Sequence, residues 1–532
     1  MKFSNQSNKI LGKDWLNYHP YNNITFVDNY YISLCNSVLD IIQQSEILGF
    51  TSNLNGTKAL ACVLTAYFED VISETRLFSA FTRQHKKMYG KELPFYEISD
   101  EYYDDDINEY DIYFLIWYHL SGYNKKILID PYFEDSQVFN EVVSEIYNLF
   151  DREFEKAPQN EKLKNFLQLS AGSDVKTVRE ILSFIACKSF LWKSVFEDYF
   201  NKVLNDYKEG DVVVLNERTE VEIYDQEIHF IFDECMPLLA MRANEYFAEV
   251  LGEKHSEYQF IKNISKRIIG CFLIRKIEKD GFLIEHLSSK KQLWLSNEST
   301  SLQKIELVEN ETVLTICMVQ WKKNVWHNQG ACMVNTIRDM KGEDLSKHLF
   351  DDENEKKKFV RSFEKVFLEL TNGKPITYML ENREYAEFYL HLSRKHAKIV
   401  DPQITDEELD EYYKNFIEDS ENTFSGSNEA IGVFFNSNRG FEMYYESVIS
   451  CMPDESNPYY AQKTFNLSDL ITNQVFSPEF VTYIIENELI VLYLRNYKNP
   501  DIFDIIKENL DFLLRFYRRS NYFSKPEVTI HY

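Results

Sequence analysis

The sequence predicts an α+β protein: a helical N-terminal domain over residues 1–205, a β-rich module over 206–340 with a small SH3-like or OB-like barrel at about 260–335, and an α+β, mainly helical C-terminal region over 341–532 ending in amphipathic helices. Three observations carry this expectation. Apolar residues recur at helical spacing to about residue 205, short β-branched and aromatic runs follow from about 211, and helical spacing returns from Lys341. At 532 residues the protein exceeds the roughly 250–300 residues at which a single core stops growing, so several domains are expected.

The first helix face is Leu60, Val63, Leu64, Tyr67 and Val71. A second helix carries Leu77, Phe81 and Met88 and stops at Gly90, which suits the left-handed position past a helix end. Beyond Pro94, Asn108 and Asp111 have capping-box spacing ahead of IYFLIWYHL, and helices follow around 135–152, 160–170 and 176–204. VVVL at 212–215, VEIY at 221–224 and IHFIF at 228–232 read as strands, and a helix is expected from about Pro237 to Leu251. Asp280-Gly281 between two apolar runs signals a hairpin, and about five strands complete the barrel. Phe359, Phe363, Val366, Phe367 and Leu370 then mark a helix ending at Asn372-Gly373, and Thr405 with Glu408 forms a capping box. AIGVFFNSNRGFEMYYE at 430–446 reads as strand, turn and return element, with terminal helices near 478–494 and 501–519.

Composition bounds the partners more than the function. A formal charge of -27 disfavours coating by nucleic acid or anionic lipid. Aromatic residues make up 15% of the sequence, but an AT-rich genome produces the same bias. The eight cysteines form no CxxC pair and read as buried, reduced thiols, no run is long enough for a membrane span, and the N-terminus lacks a signal-peptide core. A cytoplasmic setting is the expectation.

The candidate sites are few. Nine carboxylates and no Lys or Arg occupy residues 92–111, where Asp104, Asp106 and Asn108 imitate an EF-hand start. Glu109 stands where that loop needs Gly and Leu115 where it needs a bidentate Glu, so no metal is expected. Glu69, Asp70 and His85 are weak catalytic candidates, since a carboxylate-supported imidazole can move protons, but no nucleophile elbow, HExxH, P-loop or GxGxxG accompanies them. His391 and His396 read as surface residues. Arg439, in the turn Asn436-Ser437-Asn438-Arg439-Gly440, is a candidate anion binder. Residues 260–335 carry eleven Lys plus Arg against seven Asp plus Glu, and Trp294, Trp321 and Trp326 with Lys322 and Lys323 form a basic, aromatic binding candidate. An alternative use of that basic face is docking on the protein's own acidic helices.

The runs YFEDVIS, YGKELPFY, INEYDIYFLIWYHLS, GVFFNSNRGFEM and DFLLRFYRRSNYFSKPEV resemble an uncharacterised Bacteroidota family, catalogued as a domain of unknown function, over nearly the full length. The sequence departs from that family after YFEDVIS, where Glu74-Thr75-Arg76 replaces an expected Gly-containing segment. The resemblance implies a cytosolic setting and no activity, cofactor or catalytic residue. The leading expectation is therefore an interaction or adaptor protein without catalytic machinery, its protein partner and oligomeric state open. Nucleic-acid or ribosome association through residues 260–335, and a hydrolase using Glu69, Asp70 and His85, are the alternatives.

Overall fold

A computed structural model describes residues 9–45, 47, 54–98, 102–123, 128, 136–209, 212–213, 216–300, 302, 305–338, 353–381, 383–423, 429–494 and 502–522. The protein divides into two compact units, residues 1–350 and 351–532. Among the described residues no helix is long and apolar enough to cross a membrane.

The first unit begins with α1 (Gly12–Leu16), α2 (Phe26–Gln44), α3 (Leu54–Ser73), α4 (Leu77–Tyr89), α5 (Glu109–Tyr123) and α6 (Ser136–Phe154). It continues with α7 (Glu161–Leu167), α8 (Val175–Cys187), α9 (Lys193–Asp206), α10 (Glu217–Asp233), α11 (Ala243–Leu251) and α12 (Tyr258–Lys262). Helix α3 is the axis of this unit. From Leu60 to Asp70 every residue is buried, so the helix is wrapped on all sides rather than striped. Stacked pairs Phe68–Phe150 and Phe81–Phe114, with centroids 4.7 and 4.9 Å apart, fill the space around it. Gly90 caps α4 with φ 81, as its spacing predicts.

Several expectations are corrected. Residues 221–232 belong to helix α10, not to strands: the Asn216 side chain accepts from the Arg218 and Thr219 amides, and Ile228 and Ile231 are buried on one face. The alternation in VEIY is too short to outweigh Tyr224, Ile228 and Ile231 at helical spacing. Only Val212–Val213 is a strand (β2), paired antiparallel with Lys208–Glu209 (β1); residues 214–215 lie outside the described ones. The helix expected from Pro237 starts at Ala243, because Leu239 and Ala240 take positive φ. The 176–204 helix is interrupted between Cys187 and Lys193.

Strands β3 (Ile268–Ile277), β4 (Gly281–His286), β5 (Gln292–Ser296), β6 (Thr312–Lys322) and β7 (Val325–Thr336) pair in the closed order β3-β4-β5-β7-β6. All pairs are antiparallel except β5 with β7. Phe272, Ile274, Ile284, Leu295, Leu314, Ile316 and Trp326 share one core, while Cys271, Leu273, Leu287 and Val313 form a separate buried cluster, so β3 sends alternate residues to different surroundings. Gly281 is required by proximity rather than by φ, because a Cβ there would stand 2.3 Å from the Leu295 carbonyl oxygen.

The second unit has a three-stranded antiparallel sheet ordered β10 (Gly440–Tyr445), β9 (Ala430–Asn436), β8 (Ile376–Leu380). Strand β8 was not expected from the sequence, being a short apolar run directly after a helix stop. Helices Glu353–Leu370 and Arg383–Val400 pack on this sheet through Phe363, Phe367, Leu392, Ile431 and Phe435. Thr405 and Glu408 form the expected reciprocal cap. The helix expected over 478–494 ends at Glu486, and Leu492–Tyr493 instead pairs in parallel with Phe465–Asn466. The 501–519 helix is two, Ile502–Glu508 and Leu510–Tyr517, broken at Asn509. His396 is buried rather than surface-exposed: its ring stacks on Phe363 at 3.5 Å and meets the Ser362 hydroxyl at 2.7 Å. The expected helical start at 341–352 lies outside the described residues.

Replacing Gly281 with alanine forces β4 away from the Leu295 carbonyl. Gly281→Ala is expected to lower stability by about 3 kcal/mol, read as a fall in the urea midpoint without a change in slope.

Candidate functional site

The C-terminal turn of α3 places two adjacent carboxylates in the core, and each has a different task. Glu69 faces His19 and Asn160: its Oε2 lies 2.8 Å from His19 Nε2, and its Oε1 accepts from Asn160 Nδ2 at 2.8 Å. His19 Nδ1 meets the Trp15 carbonyl at 3.1 Å, so both ring nitrogens face acceptors. Burial alone would lower the His19 pKa, but the charge of Glu69 and the hydrogen bond to it reverse that and leave it raised. The contact with Glu69 therefore favours the protonated His19 ring, and both side chains are about 1% exposed.

Asp70 faces the other way. It accepts from the Leu77 and Phe78 amides at 2.8 Å each and from the Thr75 hydroxyl, and so satisfies the first donors of α4. Burial raises its pKa against those hydrogen bonds. His85 lies eight residues into α4, about 12 Å along its axis at roughly 1.5 Å per residue. There Nδ1 meets the Lys91 carbonyl at 2.6 Å, and burial lowers the pKa to about 4. Glu69, Asp70 and His85 thus serve three separate structural environments.

His19, Asp28 and Glu69 are the one group among the described residues with the proximity of metal ligands, their atoms lying within 4.8 Å of one another. The donor set is already occupied. Asp28 accepts from Trp15 Nε1 and Tyr21 OH on one oxygen and from the Thr25 amide and hydroxyl on the other. A cation would have to displace these partners, so the group reads as a closed hydrogen-bond network.

The accessible chemistry lies on the far side of Asp70, in a cleft of about 840 Å³. Its wall combines the end of α3, the turn 74–76, the start of α4, residues 102–106, Asp111 of α5 and residues 154–159. Seven carboxylates line it against two arginines, Arg76 and Arg83. Asp70 and Asp111 are buried, whereas Glu74, Asp104, Asp105, Asp106 and Glu155 are exposed. Asp111 accepts from Tyr67 OH at 2.7 Å, Tyr102 OH at 2.9 Å and Asn108 Nδ2 at 3.2 Å. Burial pushes its pKa up to about 7, against the three hydrogen bonds. Asn108 thus donates to Asp111 instead of capping α5 as the spacing predicts. Asp100 and Glu101 of the same acidic stretch lie outside the described residues.

The turn that bounds this cleft is conformationally unusual. Glu74 and Arg76 have φ 53 and 64, the left-handed region that glycine occupies freely.

The basic, aromatic candidate is arranged differently. Trp326 sits in the β-core, and Trp321 is buried with its ring 5.6 Å from those of Phe260 and His327. Trp294 is half-buried beside Gly281. Lys322 lies over Phe260 at 5.4 Å, and Lys322 and Lys323 are both exposed. Arg267, which sequence reasoning did not single out, is buried and pairs with Asp225 at 3.0 Å and Asp233 at 2.8 Å of α10. The Arg439 guanidinium donates to the Asn521 carbonyl. Beside it, Glu442 accepts from Asn436, Tyr444 and Ser477, and burial raises its pKa.

Residues 9–270 match a family described as "Protein of unknown function (DUF3843)". No curated protein and no solved structure matches the sequence or fold. The matched stretch contains the His19 network and every residue of the acidic cleft. It stops within β3, so Trp294, Trp321, Lys322, Lys323, Trp326 and Arg439 all lie beyond it.

Asp111 has a measurable signature. A folded pKa of about 7, above the ordinary aspartate value of 3.8, means that its stabilising protonation is complete below the lower value and is lost as pH rises through the upper. Asp111→Asn cannot ionise. Relative to the unmodified protein it is expected to gain on the order of 4 kcal/mol between pH 4 and pH 8, measured by urea unfolding at each pH. A difference independent of pH would contradict the assignment.

Proposed function

We propose that the protein is a binding or adaptor protein, not a catalyst, and that its acidic cleft holds a lysine- and arginine-rich segment of a protein partner. The observation that carries this reading is the 840 Å³ cleft, whose wall exposes five acids, Glu74, Asp104, Asp105, Asp106 and Glu155, against two arginines. That volume is within the range of roughly 300–1,000 Å³ typical of ligand sites. Within the cleft no group of carboxylates converges as metal ligands do, since the one convergent group among the described residues is the His19 network. Charge spread along a wall suits a ligand whose positive charge is equally spread. The engagement of Glu69 by His19 and of Asp70 by α4 supports a non-catalytic reading of both.

Nucleic-acid or ribosome association through residues 260–335 has weaker support, because stacking needs open aromatic faces and Trp321 and Trp326 are buried. We place the protein in the cytoplasm, a reading supported by eight cysteines that are all free thiols, seven of them buried. The segments GVFFNSNRGFEM and DFLLRFYRRSNYFSKPEV, which lie beyond the matched residues, support extending the Bacteroidota family likeness along nearly the full length. The SH3-like or OB-like description of the closed five-stranded sheet belongs to the same reading.

Fluorescence anisotropy with labelled octalysine and octaglutamate tests the cleft. Octalysine is expected to bind and to weaken as salt rises, and octaglutamate is expected not to bind. Asp104→Asn, Asp105→Asn and Asp106→Asn together should weaken octalysine about tenfold, a loss of about 1.4 kcal/mol. The same number of neutralised acids elsewhere, at Asp401, Glu407 and Glu411, should change little. Equal losses in the two triple variants, or no octalysine binding at low salt, would overturn the reading.

A further inference from the structure

The turn 74–76 bounds two cavities, not one. Glu74 and Arg76 line the large acidic cleft and also a neighbouring cavity of about 400 Å³, which reaches α7 and the end of α11. Across the turn the charge reverses. Among the described residues Glu74 is the one carboxylate lining the smaller cavity, against Arg76, Lys164 and His255. Lys164 holds Glu74 at 2.8 Å, which leaves Arg76 as the unspent cation: it is exposed, and its side chain donates no hydrogen bond to any described residue. The remaining wall is largely apolar, with Leu167, Leu169, Val250 and Leu251.

A guanidinium beside leucine and valine side chains suits a carboxylate carried next to an apolar group. From this juxtaposition we infer that the partner segment is charge-segregated: its lysines or arginines lie in the large cleft, and a carboxylate with an apolar neighbour extends past the turn into the smaller cavity. The inference rests on the cleft reading above and adds the polarity of the ligand. Six extended residues span about 20 Å, and the two cavities share Glu74 and Arg76 in their walls. The terminal carboxylate of a peptide and the side chain of an acidic residue offer the same chemistry, so the test separates them.

Three peptides distinguish the arms: Lys-Lys-Lys-Lys-Gly-Leu with a free C-terminus, the same peptide amidated, and the amidated peptide extended by glutamate. Titrated against the full-length protein, the free acid or the glutamate peptide is expected to bind about tenfold more tightly than the amide, and whichever does so identifies the carboxylate source. Lys164→Gln, which frees the Glu74 carboxylate, should reduce that advantage, and Arg76→Gly should abolish it. Glycine accepts the φ of 64 at position 76, so a loss of binding in that variant does not report unfolding. Its urea midpoint is expected to equal or exceed that of the unmodified protein. Equal affinity of all three peptides overturns the inference and leaves the cleft reading standing, whereas no binding by any of them removes both.

Discussion

The end of α3 sets the geometry of everything that follows in the first unit, because two consecutive acidic residues there are buried and committed to opposite directions. Glu69 takes the His19 ring and the amide of Asn160, and so ties the end of α1 and the start of α7 to α3. Asp70 takes the first amides of α4 and fixes the corner at which the backbone reverses. Burying a charge is costly unless it is paired and hydrogen-bonded, and here each has its partners. The corner compresses the connection between α3 and α4 into Glu74, Thr75 and Arg76, and two of these three adopt positive φ. The strained turn is the common wall of both cavities, so the structural constraint and the candidate site are one feature.

The same solution recurs away from the site. Arg267 of the β-rich region is buried against Asp225 and Asp233 of α10, so part of the basic character of residues 260–335 neutralises the protein's own acids. In the second unit Arg518 is fully buried with carbonyls as partners: Ile471, Phe476 and Leu470 accept from its guanidinium. Two of those carbonyls belong to the helix Leu467–Thr472, whose C-terminal end suits a cation. Burial lowers the Arg518 pKa to about 10, still high enough to keep the charge at neutral pH. In each place a polar group has been drawn inside to fix a junction between elements.

Local signals were legible and long-range ones were not. Gly90, the Asp280-Gly281 hairpin and the Thr405–Glu408 cap each depend on residues within a few positions, and each forms where its spacing predicts. VEIY at 221–224 misled because four residues cannot separate a period of 2 from one of 3.6, and the decisive partners of α10 lie on another element. Glu69, Asp70 and the acidic stretch to Asp111 were visible as charges. Their roles were not, because His19 is fifty residues before Glu69 and Asn160 ninety-one after it. The cleft itself joins residues from 67 to 159, and no motif marks such an assembly.

The buried His19–Glu69 pair at the end of α3 is the contact from which the corner and its cavities follow. Nitrogen-15 NMR of the histidine side chains at pH 6.5, with His19 assigned by comparison with His19→Gln, reads the state of this pair. Both ring nitrogens of His19 are expected to carry a proton in most molecules at that pH, the ordinary histidine pKa, because the folded value is raised. A ring that is mainly neutral at pH 6.5, with one nitrogen unprotonated, rules this pairing out.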